Sequence, residues 1–256
     1  MDAIHPSSTQ NIDWSRFASV QYAMSTDYLC NSVMIFEALM HLKSKAGRLL
    51  MYSEEISVTG SFTQSRSLRK VRDEYGVKLM PMQMEFKILP KTWAFSYMKP
   101  LAFHQTQYDR HMDELFLLPP YPIAIPRAYR LNTSDIKLCT RVMLVQPSEF
   151  EFHRILRSID AGGPPEYAME VMNILYKRNA LVLPHRFTLS VYMVSSLESW
   201  DPDRVLSEAK YLHFSDWPVF KPWIETPAEM MEAEQPACDR PYQRQTCHAH
   251  ELWLGF

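Results

Sequence analysis

Between residues 17 and 82 the apolar positions alternate between two spacings. The run FASVQYAM (17–24) is short, β-branched and aromatic, which predicts a buried strand. DYLCNSVMIFEALMHL (27–42) then puts Leu29, Val33, Phe36 and Met40 on one face of a helix, with Asp27 as the candidate N-cap. After the turn KSKAG, the run RLLMY reads as a second buried strand. SRSLRKVRDEY (65–75) predicts a charged helix closed by Gly76, and VKLMPM (77–82) a third strand. Strand, helix, strand, helix, strand in succession predicts an α/β fold with a mainly parallel sheet. Ligands of such folds bind beyond the carboxyl ends of the strands.

The remainder is less regular. PIAIP (122–126), VMLVQ (142–146) and ALVLP (180–184) read as buried strands, SEFEFHRILRSI (148–159) and EYAMEVMNILYKR (166–178) as helices. DPDRVLSEAKYL (201–212) predicts a further helix, opened by Asp201 with Pro202 at its first position. The stretch YLHFSDWPVFKPW (211–223) carries little helix signal, and its prolines direct the backbone without donating ladder bonds, so it reads as a shaped loop that holds polar groups. No internal repeat or low-complexity segment interrupts the chain, and its 256 residues suit one large domain. Residues 1–16 read as an N-terminal extension, 17–224 as that domain and 225–256 as an irregular tail.

Composition narrows the chemistry. Six glycines form neither G-x-G-x-x-G nor a P-loop, which excludes both glycine-rich phosphate cradles. A net charge of −2, from 27 basic and 29 acidic residues, gives no field for nucleic acid. Arg66, Arg69, Lys70 and Arg72 are the densest basic group, yet Asp73 and Glu74 share their helical pattern, so they read as a solvated face. Four cysteines at irregular spacings form no C-x-x-C; Cys238, Cys247, His248 and His250 near the end match no recognised zinc spacing. The sixteen methionines read as core filling. No nucleophile elbow surrounds Ser25, Ser196 or Ser215. No apolar run approaches the ~18 residues that span a bilayer, and the first residues lack an export signal.

Several stretches together, SVQYAMSTDYLCNSVMIFEAL, KPLAFHQTQYDR, MDELFLLPP, VMLVQPSEFEF and WDPDRVLSEAKYLHFSDWPVFKPW, resemble glycosyltransferase family 8, the glycogenin-like enzymes, and within it the fungal glucose N-acetyltransferase branch. The likeness runs in order from Phe17 to Trp223. It implies a GT-A fold, a Rossmann-like α/β/α sandwich that uses a UDP-sugar and manganese and acts with retention on a glycan or protein acceptor. Ala23, Ser25, Thr26 and Tyr28 match the positions that hold the uridine at the end of the first strand and the start of the first helix. That is chemically reasonable, since a helix N-terminus favours an anion and a tyrosine ring offers a stacking face. Read alone, the same residues are a plain helix cap. Lys99 matches a lysine that faces the donor, His213 a metal-binding histidine, and Lys221 a phosphate-contacting lysine. Imidazole suits manganese, and an ammonium neutralises the departing UDP.

Four departures from the family pattern stand out. Relatives continue from TQYDR into an apolar strand bearing D-x-D before reaching MDELF, whereas here Arg110 is followed directly by His111, so the GT-A fold is expected to lack that strand and both its metal-binding carboxylates. Neither Asp109 nor Asp113 is placed to replace them. Ala168 stands where relatives have an aspartate near the sugar, with Glu170 about 200° round the helix. Arg141 stands where many relatives have a glycine that contacts the sugar, and the loop from His213 to Lys221 is longer than the wider family's. The chain therefore reads as a family 8-like transferase of hexosyl or N-acetylhexosaminyl groups, with a catalytically dead nucleotide- or partner-binding relative, or a truncated gene model, as alternatives; no catalytic residue is assigned. Relatives imply the Golgi and a membrane anchor; the absence of a visible anchor leaves the cytoplasm as the other expectation.

Overall fold

The computed structural model describes residues 12–56, 62–83, 94–109, 118, 120–128, 137–161, 168–184, 188–191, 207, 211–214, 219–235 and 254. Its first half is the alternation anticipated above. Strand β1 (Ala18–Ala23), helix α1 (Thr26–His41), β2 (Gly47–Ser53), α2 (Phe62–Asp73) and β3 (Lys78–Met82) follow in order. The strands form a parallel sheet in the order β1-β2-β3, with Ala18 opposite Gly47 and Ala23 opposite Tyr52. Parallel neighbours need a crossover, and each helix supplies one.

Leu29 and Phe36 of α1 are buried with Leu68 and Val71 of α2 against Leu50 and Tyr52 of β2, and Val33 and Met40 flank them. This is the helical face that the spacing predicted. The caps show why the helices stop where they do. Lys43, at φ 55°, takes the left-handed turn after α1, so the N–H groups of Lys43 and Ser44 return to the carbonyls of Met40 and Leu39. Gly76, at φ 63°, makes the corresponding turn after α2. Pro81 is accommodated because β3 ends the sheet order.

Inter-residue contacts divide the chain into two compact units, Met1–Ile123 with Leu144–Val171, and Ala124–Met143 with Met172–Phe256. The first unit also holds a 3-10 helix Ala94–His104, which no periodicity announced, and helix α3 (Glu149–Ala161). Strand β4 (Ile123–Pro126) and strand β5 (Leu144–Val145) match their expected runs, the second in shortened form. Helix α4 (Ala168–Tyr176) leads into β6 (Leu181–Leu183), which pairs in parallel with β4.

The last part of the chain departs most from expectation. Tyr211–Phe214 is strand β8, paired in parallel with β7 (Thr188–Val191), so His213 sits in a strand opposite Ser190 and not in a loop. The helix expected over 201–212 has lost its final two residues to that strand; Ser207 is helical. The cause is non-local, because the ladder partner lies more than twenty residues upstream. Within the segment read as irregular, Ala228–Ala233 forms helix α5, entered through Pro227. Residues 110–117, around the absent D-x-D, and the terminal cysteine–histidine cluster lie outside the described residues.

Candidate functional site

At the carboxyl end of β1 the chain turns sharply into α1. Ser25, with extended backbone, is the N-cap: its hydroxyl accepts from the Tyr28 N–H at 3.5 Å and its carbonyl from Leu29 N–H at 3.0 Å. Asp27, the cap expected from sequence, is an exposed first-turn carboxylate instead. The strand has to end before the helix can begin, and Ser25 is the polar residue at that junction. Ala23 is fully buried at the strand end, whereas Ser25 and Thr26 are half-buried and Tyr28 is 38% exposed.

The Tyr28 ring stacks on Tyr22, centroids 6.0 Å apart at 28°. Thr26 Oγ1 accepts from the side-chain amide of Gln64 at 2.9 Å, a partner on α2 that sequence reading did not single out. The four positions expected to hold a nucleoside are thus brought together. Lys99 lies half-buried in the 3-10 helix of the same unit. That helix is tied to α3 by Ser148 N–H donating to the Phe103 carbonyl at 2.8 Å, and by His104, 3.2 Å from Glu149 and stacked on Phe152.

In the second unit, Lys221 returns to the end of β8: its ammonium donates to the Phe214 carbonyl at 2.8 Å and lies 5.8 Å from the Trp223 ring centre. Its charge is therefore held one residue beyond His213. Burial pushes the Tyr211 phenol above its ordinary range, and the nearby Arg141 charge works against that shift. Asn173 of α4 clamps the segment that leads to Arg141, its amide donating to the Leu138 carbonyl at 3.0 Å and accepting from the Leu138 N–H at 2.8 Å. Replacing Asn173 by alanine leaves both backbone groups without that partner. It should cost about 1 to 3 kcal/mol, read as a lower urea midpoint at unchanged slope.

The acidic positions are less accommodating. Asp109 is spent at the opposite end of β1: its carboxylate is paired with Arg16 at 2.8 Å and its N–H donates to the Arg16 carbonyl. A six-residue strand separates it from Ser25. Ala168 is fully buried beside the equally buried Val171 and Met172, while Glu170 is half-buried on α4. Among the described residues no group of three His, Cys, Asp or Glu side chains could hold a metal ion. The described donors do not by themselves make up a manganese site. Asp113 lies outside the described residues.

No family model matches the chain. Glucose N-acetyltransferase 1 of Gibberella zeae is 46% identical over 96% of this chain, which spans 61% of that protein's length. That match runs over 276 positions, more than the chain's 256 residues, so the relative carries residues inside the matched stretch that this chain lacks. Glucose N-acetyltransferase 1 of Aspergillus fumigatus is 36% identical over 94% of this chain and 74% of its own length. Among solved structures, the apo form of the bifunctional glycosyltransferase WbbM superposes with a TM-score of 0.58 at 11% identity, covering 94% of this chain and 53% of that one.

A parallel β-α-β-α-β unit with a polar turn at the end of its first strand, superposable on a glycosyltransferase, defines a GT-A, Rossmann-like fold. At these levels of identity and coverage the chain belongs to the glucose N-acetyltransferase family. Among the described residues no helix is long and apolar enough to cross a membrane.

Proposed function

We propose that the chain binds a UDP-sugar, its uridine lying against the carboxyl end of β1 and the first turn of α1, and that its reaction class is retaining transfer of a hexosyl or N-acetylhexosaminyl group to a glycan or protein hydroxyl. The turn at Ser25–Tyr28 carries the reading. An exposed aromatic face backed by a second ring suits a nucleobase. The first-turn N–H groups and the Thr26 hydroxyl suit oxygen acceptors, and the helix dipole adds to their pull. From the family resemblance, Lys99 and Lys221 are proposed to meet donor and phosphate charge, and His213 is the proposed metal position.

A second reading, nucleotide binding without turnover, is favoured by two observations. Asp109 is engaged by Arg16 away from the nucleotide end of β1, and the position of the family's sugar-side aspartate is an alanine packed in the core. Both readings share one test. Calorimetry should show weak UDP binding that barely depends on manganese. Tyr28→Ala should lower uridine affinity about tenfold through loss of base stacking. Uridine affinity indifferent to Tyr28 would overturn the proposal, whereas tight, strictly manganese-dependent binding would overturn the second reading.

A further inference from the structure

We infer that Gln64 is a positioning residue for nucleotide recognition, acting through Thr26; the inference rests on the nucleotide-binding reading of the turn at Ser25–Tyr28. The two residues belong to different helices and lie 38 positions apart, yet the Gln64 amide donates to Thr26 Oγ1 at 2.9 Å. A hydroxyl has one proton to give and two lone pairs to offer. With one lone pair filled by Gln64, the other groups around the turn decide where the proton goes. The first turn of α1 presents N–H donors and no helical carbonyl four residues back, because position 22 belongs to β1. Gln64 therefore biases Thr26 towards donating, the polarity that matches the acceptor oxygens of a uracil or a diphosphate.

The same contact is mechanically anchored. Leu68 and Val71 lie one and two turns further along α2, buried against Leu29 and Phe36 of α1. The amide is thus delivered by a packed helix, and Gln64 is itself half-buried. A glutamine in this place makes the polarity of Thr26 a property of the helix pair. A glutamate would reverse it, since a carboxylate only accepts and would take the Thr26 proton.

Calorimetry on the full chain, with uridine and UDP as probes, tests this. Gln64→Leu and Thr26→Val should each weaken binding roughly three- to tenfold, and the double variant should be no weaker than Thr26→Val alone, because one residue acts through the other. Gln64→Glu should weaken the neutral probe uridine at least as much as Gln64→Leu. It keeps the size of the native side chain, so it decides the matter if leucine perturbs the fold. Wild-type affinity in Gln64→Leu and Gln64→Glu, or full additivity in the double variant, overturns the role of Gln64 alone. No binding of either probe by the wild-type chain overturns the nucleotide reading and this inference with it.

Discussion

Ala168→Asp is expected to damage the fold without creating activity. The substitution introduces the aspartate that the family resemblance implies at this position, and a functional repair is the obvious hope. Ala168, however, is fully buried in the first turn of α4, as are Val171 and Met172 of the same helix. A carboxylate there must either ionise out of water or take up a proton, and both routes are unfavourable. The expected cost is about 3 to 5 kcal/mol. For a chain of this size that lowers the melting temperature by on the order of 10 °C. Thermal melts of the wild type, Ala168→Ser and Ala168→Asp would show it as a graded loss. A variant with unchanged stability and newly acquired UDP-sugar turnover would show that α4 rearranges to present the carboxylate, and the burial argument would fail.

The largest effect on chemistry is expected at the Arg110–His111 junction. UDP release by the chain as it stands, assayed with a panel of UDP-sugars and manganese, should be at least ~10³-fold slower than after insertion of an apolar D-x-D strand there. Metal stabilisation of a departing diphosphate is worth several kcal/mol, and each 1.36 kcal/mol is about tenfold in rate. One imidazole, His213, does not make a manganese site, whereas two added carboxylates with the diphosphate oxygens would. Robust manganese-dependent turnover by the unmodified chain would sink the reading of nucleotide binding without turnover.

The two expectations separate binding from catalysis. The proposed nucleotide recognition draws on a strand end and a helix start that sit within six residues of one another, Ala23 to Tyr28. The proposed transfer would draw on carboxylates and cations from distant segments.

The sequence by itself determined the β-α-β-α-β half and the turn at the carboxyl end of β1. Strands and helices announce themselves by the spacing of apolar residues, and both terminating turns lie within a few residues of the helices they close. Even there the N-cap moved from Asp27 to Ser25, because two capping side chains stand close together and only the point where β1 leaves its ladder chooses between them. Tertiary structure alone decided the rest. His213 became a strand residue through pairing with 188–191. Lys221 was drawn to the Phe214 carbonyl, Asp109 to Arg16 and Gln64 to Thr26. Ala168 was sealed in the core. Each of these depends on what folding places nearby: three join elements far apart in the chain, and the burial of Ala168 and the return of Lys221 to β8 follow from how their surroundings pack. A local pattern reports the period of an element, but not which partner its backbone or side chains will meet.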